Sequence, residues 1–203
     1  MEWLCLILVP LGFVVVILLI WVMLTYNRFV GLRQHLLDSW SGIDVELKRR
    51  YDLIPNLVST VKGYARHESE VIERVVAART TAVASTGSPG SQAGDEQRLV
   101  SNLGRMMALA ENYPDLKADR QFQNLQEELV NTEDRLAAAR RFYNGNVRTL
   151  NSLCESFPTS LVARLGSFDP ADFFELDAVI QRTPPVVDPS SQKNPDVRGG
   201  FGC

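Results

Sequence analysis

From Trp3 to Leu24 the chain carries no charged side chain, and this apolar run constrains its fold more than any other feature. A helix rises about 1.5 Å per residue, so the run covers the roughly 30 Å of a bilayer's hydrocarbon. Trp3 stands at one end, and Trp21 and Tyr26 at the other, where amphipathic rings favour the headgroup level. Pro10 and Gly12 lie inside it, and membrane helices tolerate both. A cleavable signal peptide would need a basic start and small residues before the cut. Glu2 occupies the start, and Trp21-Val22-Met23-Leu24-Thr25-Tyr26 offers no such site. Cys5 comes too early for a lipoprotein cysteine. The run therefore predicts a retained anchor over residues 1–26, with the bilayer as partner through Trp3 to Leu24. Only the terminal amine and Glu2 precede it, whereas Arg28, Arg33 and Lys48-Arg49-Arg50 follow. Positive charge collects on the cytoplasmic side, which predicts N-terminus out and the main domain in the cytoplasm.

The remainder of the 203 residues holds one domain, expected over 27–177, and a polar tail over 178–203. Net charge is -3, without the basic stripe that a nucleic-acid partner would require. Cys5, Cys154 and Cys203 are scattered, with no CxxC pair, and suggest neither a disulfide framework nor zinc.

Beyond the anchor the apolar spacing is helical. Leu32, Leu36, Trp40, Ile43, Leu47 and Tyr51 step by three and four. Only Gly31 interrupts, so the membrane helix is expected to run on to about Arg50. Asp52 then reads as an N-cap with Pro55 in the first turn of a second helix, which Ile54, Leu57, Val61, Ala65, Ile72 and Val75 carry to about Ala84. The apolar phase also runs through Pro55, so one kinked helix is the alternative. Ala84 to Asp95 is small, flexible and uncharged until its end, and reads as a loop. A helix from about Glu96 to Asn112 follows, broken at Tyr113-Pro114-Asp115. Phe122, Leu125, Leu129, Thr132, Leu136, Ala139, Tyr143, Val147, Leu150 and Cys154 then form a near-heptad seam. Its acids come first and its bases last, matching the helix macrodipole. The seam is expected to be core rather than an exposed dimer stripe. After Phe157-Pro158 comes a short helix to Leu165, then Phe168, Phe173 and Phe174, expected to fold back on the bundle. From Thr183 on, Pro, Ser, Asp and Gly dominate, which predicts disorder. No stretch alternates with period two. The pattern predicts an all-α chain: a transmembrane helix, then an antiparallel four-helix bundle.

The order Leu47-Lys48-Arg49-Arg50-Tyr51-Asp52-Leu53-Ile54-Pro55-Asn56-Leu57-Val58, with Val61-Lys62-Gly63-Tyr64-Ala65 and His67-Glu68, resembles the signature of the LemA family. So does Glu111-Asn112-Tyr113-Pro114-Asp115-Leu116-Lys117-Ala118. The long helix is similar too, through Thr132-Glu133, Ala139-Arg140, Tyr143-Asn144, Val147 and Asn151. The resemblance runs from the anchor to Phe174. It implies a bacterial or archaeal protein with an out-facing N-terminus, one membrane helix and a four-helix bundle, and no established activity. Leu150 departs from the pattern, standing where an aromatic often precedes the Asn151 equivalent, and the tail beyond Leu176 looks particular to this chain.

Chemistry is sparse. A di-iron bundle needs Glu-x-x-His, but Leu32 precedes His35 and Tyr64 precedes His67 at that spacing. Nucleophile-elbow, zinc-protease and dinucleotide motifs are missing. Asn56, Asn112 and Asn144 are expected to satisfy backbone groups at helix ends, and Lys48-Arg49-Arg50-Tyr51-Asp52 to pair with acids on neighbouring helices or cap a bend. The function expected is a scaffold or protein-interaction module at the bacterial inner membrane, without catalysis or cofactor, binding an unidentified protein or a second copy. The alternative is an enzyme subunit or metal-dependent regulator of a membrane protease, for which His67, Glu68, Glu111 and Glu133 should converge in one cleft.

Overall fold

The computed structural model describes residues 2–175. The expected boundary at 177 and the disordered tail lie outside the described residues. Within them the chain forms six helices and no strand: α1 (Glu2–Tyr64), α2 (Ser69–Ala84), α3 (Pro89–Ala110), α4 (Pro114–Ala118), α5 (Arg120–Glu155) and α6 (Thr159–Leu165). The apolar run and the first soluble stripe are one helix of 63 residues, long and apolar enough near its start to cross a membrane.

Asp52 does not cap a helix, because α1 continues through Pro55 to Tyr64. Proline lacks the N–H that would reach back to the carbonyl four residues earlier, here that of Tyr51. Arg79 of α2 fills the gap, its Nε donating to the Tyr51 carbonyl at 2.8 Å. The helix therefore keeps its hydrogen-bond count across the proline, and the chain turns instead at residues 65–68. The stretch read as a loop is also shorter than expected. Pro89 opens α3 in its first turn, where its missing N–H costs nothing, and the small residues after it are helical. Buried Ala93 packs there beside Leu136, Tyr143 and Phe174, so tertiary contact overrides the weak propensity of Gly90 and Gly94.

α1 and α5 run antiparallel along most of the domain. Phe29 shares a cluster with Leu150, Trp40 meets Tyr143 at 5.3 Å between ring centres, and Glu46 pairs with Arg135 at 3.1 Å. Far from the anchor, α2 and α3 join them around Ile54, Leu57, Val61, Ile72, Val75, Leu99, Met106, Phe122 and Leu129. Nearer the anchor the pair is covered instead by α6 and the segment 168–174. The heptad seam is core: Leu129, Thr132, Leu136, Tyr143, Val147 and Leu150 are all buried. Each buried leucine contributes about 1.5–3 kcal/mol. The far ends of α1 and α5 are tied by Asp119. Its carboxylate caps α5 by accepting from Phe122 N at 2.8 Å and takes the Tyr64 hydroxyl at 3.0 Å. The cap and then the phenol hold that carboxyl below the usual aspartate range.

Candidate functional site

Three apolar stripes each contain polar residues where a hydrophobe would be expected. On α1, Arg50 and Tyr51 follow Ile43 and Leu47 and precede Ile54. On α3, Glu96 stands between Ala93 and Leu99. On α5, Thr132 and Glu133 stand between Leu129 and Leu136. Steps of three and four put such residues on the packed face of their helices, and the fold brings them to one level. Arg50 is fully buried and Glu96 nearly so. The Arg50 guanidinium donates to Glu133 Oε1 at 2.8 Å and, on its other side, to Glu96 Oε2. The Tyr51 hydroxyl donates to the second oxygen of Glu96. Arg50 Nε finds no acceptor among the described residues.

One guanidinium thus binds α1 to α3 and α5 at once. Burial pushes the Glu96 carboxyl above the ordinary glutamate value; Arg50 opposes this without cancelling it. Burial, then the hydrogen bond to Glu96, raises the Tyr51 phenol strongly. Arg140, half buried two turns further along α5, is lowered by desolvation while Glu133 pulls it back. Glu133 retains partial exposure and connects the network to solvent. Burying ions costs several kcal/mol each, and the pairing offsets that cost only in this geometry. The arrangement is suited to fixing the register of three helices: both oxygens of Glu96 and Oε1 of Glu133 already hold donors.

The other residues of the signature lie elsewhere. Lys48, Arg49, Asp52, Pro55 and Asn56 are exposed on α1, with Arg49 reaching Glu128 at 3.1 Å. His67 is exposed in the turn after α1. Glu68 accepts the Tyr113 hydroxyl at 3.3 Å, and Glu111 pairs with Lys117. Asn112 lies in the turn after α3, and Pro114 opens α4. His67, Glu68, Glu111 and Glu133 therefore do not converge. Among the described residues no group of three or more His, Cys, Asp or Glu is placed to hold a metal ion.

Asn56 and Asn144 stand inside helices, not at their ends. Asn144 performs a different task. Its amide donates to the Phe174 carbonyl at 3.1 Å and accepts the Phe174 N–H at 3.0 Å. Asn151 treats Ala171 the same way, at 3.0 and 2.8 Å. Tyr143 adds its hydroxyl to the Asp172 carbonyl at 3.0 Å. The two asparagines lie two turns apart, about 10.5 Å, which matches three residues of nearly extended chain, about 10 Å. Phe174 is seated edge-on against Trp40, and Phe168 stacks on Phe29. The aromatics do fold back, as a strap along the α1–α5 groove.

Glu96, Arg79 and the strap role of Asn151 do not follow from the apolar spacing. Glu96 had a signal: it is three residues before Leu99 on the stripe that Leu103 and Met106 continue. Arg79 had none, because the carbonyl it serves belongs to another helix.

The chain matches the LemA family over residues 39–188, which extends past Phe174 into the tail beyond Leu176 that looked particular to this chain. It is similar to magnetosome protein MamQ 1 of Paramagnetospirillum magneticum, 26% identical over 178 residues. That alignment covers 75% of this chain and 65% of the relative, so the chain spans just under two thirds of that length. MamQ of Magnetospirillum gryphiswaldense is 25% identical over 177 residues, with the same coverage. Protein LemA of Metamycoplasma hominis is 25% identical over 146 residues, covering 68% of this chain and 67% of the relative. With the family match extending over most of the chain and taking in the Arg50, Glu96 and Glu133 network and the strap, the chain belongs to the LemA family.

Proposed function

We propose that this protein is a membrane-anchored scaffold that holds a protein partner at the bacterial inner membrane and performs no chemistry of its own. One observation carries the proposal: the charged and amide side chains of the signature that lie inside the domain are spent on internal ties. Arg50 joins three helices, and Asn144 ties down the strap. What remains outside is a helical surface on a stiff support, with polar residues such as Lys48, Lys62 and His67 beside exposed apolar ones such as Val45 and Phe142. The helical domain lies on the cytoplasmic side in this reading, because Arg28 and Arg33 closely follow the apolar run. Membership of the LemA family and the similarity to MamQ, a magnetosome protein, support a membrane-associated helical protein.

Amine-reactive crosslinking in native membranes tests this, since Lys48 and Lys62 are exposed. Mass spectrometry is expected to recover reproducible crosslinks from these lysines to one or a few proteins, or to a second copy. Recovery of the uncrosslinked chain alone, at reagent levels that capture known complexes in the same membranes, would sink the scaffold. A chelator-induced drop in melting temperature would favour the metal-dependent regulator instead.

A further inference from the structure

The face of α1 that the domain covers begins inside the apolar run. Trp21 is partly buried, Thr25 is 8% exposed and Phe29 is 0% exposed. Their four-residue spacing puts them on one side of the helix. The cover comes from the end of α5 and from α6: Leu153, Cys154, Val162 and Ala163 share a cluster with Trp21 and Phe29. The Phe168 ring lies 5.5 Å from Tyr26 and 4.9 Å from Phe29. Gly166 makes the approach possible, because a Cβ there would meet the Phe168 ring at 2.5 Å and Tyr26 at 3.1 Å. On the other side of the same stretch Met23 and Leu24 are bare, at 64% and 62% exposed. The corner formed by residues 156–168 therefore stands level with the end of the membrane run.

At that level the corner presents Phe157, Leu161 and Leu165, at 83%, 53% and 85% exposed. Leu161 and Leu165 are one helical turn apart, opposite the buried Val162 and Ala163. We propose that Phe157, Leu161 and Leu165 enter the interfacial layer of the bilayer beside the anchor, so that this corner is a second membrane contact. Continuity with the membrane-spanning face of α1 is the argument for lipid as the occupant. Apolar rather than electrostatic attraction drives it, since Arg164 is accompanied by Glu155 and Asp169 in the same hollow. Two contacts fix the rotation of the domain about the anchor axis, which one helix cannot do. The inference rests on α1 spanning the bilayer.

The test is spin-label depth measurement on the full chain in phosphatidylcholine nanodiscs. Cys5, Cys154 and Cys203 are first replaced by serine, and a nitroxide is attached singly through Leu161→Cys, Leu165→Cys, Leu18→Cys or His67→Cys. At 161 and 165, collision with oxygen relative to a water-soluble nickel chelate is expected to exceed the ratio at 67 several-fold and to approach that at 18. Phosphatidylglycerol should leave these ratios unchanged. Aqueous ratios at 161 and 165 with a lipid ratio at 18 would overturn the second contact alone, whereas an aqueous ratio at 18 would overturn the anchor too. In vesicles, spin–spin broadening between chains labelled at 165 would also overturn it, by assigning the face to a second copy.

Discussion

Arg50 shows how one side chain decides whether a helical core closes. It is wholly buried, and both carboxylates it holds come from other helices. Removing it strands Glu96 in the interior, and breaking a buried pair typically costs about 3–5 kcal/mol. Arg50→Met is expected to lose that much by urea denaturation at pH 8. The cost should shrink at pH 5, with the sign set by Glu96. Its folded carboxyl is raised by burial, so the folded state binds the proton more tightly than the unfolded chain, whose value is about 4.3. The associated stability is present below that value and is lost as pH rises through the folded one. Without the guanidinium the rise is larger, and protonation relieves more of the penalty at pH 5. Equal losses at both pH values would mean that Glu96 titrates normally. The same residues bound what spacing could reveal. Arg50 sits on a stripe and inside the family signature, so it stood out in the sequence; Glu96, at the edge of a Gly- and Ser-rich stretch, was hidden by its neighbours.

At the scale of elements, period and phase were readable wherever packing repeats along one helix. The α5 seam was legible to its last turn because each of its residues meets α1 or its neighbours in register. The α1 continuation was legible only as the alternative to a cap at Asp52, since it involves Arg79 reaching across to the carbonyl that Pro55 leaves free. The start of α3 was misread for a related reason: Ala93 is anchored by contacts with α5 and the strap, not by its own propensity. The strap gives the element-level prediction. Asn144→Ala with Asn151→Ala removes four hydrogen bonds to the Ala171 and Phe174 backbone. Exchange of those two amides should accelerate by at least tenfold, since an unmade buried bond costs about 1–3 kcal/mol. The central amides of α5 should keep their protection. Unchanged exchange at 171 and 174 would show that the aromatic contacts alone hold the strap.

For the whole molecule, orientation is the outstanding prediction. A phosphatase fused after residue 175 should be silent and a fluorescent protein bright, given Arg28 and Arg33 behind the apolar run. The reverse pattern would place the domain outside. The helical class and the long apolar start of α1 were legible because they rest on long repetitive signals, and the family because its signature residues are contiguous from Leu47 to Val58. The way the helices share their layers was not, because it depends on pairings between distant parts of the chain. One consequence follows from the unbroken α1. From the end of the apolar run to Tyr64 the helix advances about 60 Å. It has α5 strapped along it and a carbonyl repaired at its proline, so it works as a gauge block. A partner gripping the Tyr64 end would be held at one height above the lipid that the apolar run crosses, and a change in the tilt of that run would sweep the grip sideways like the tip of a lever.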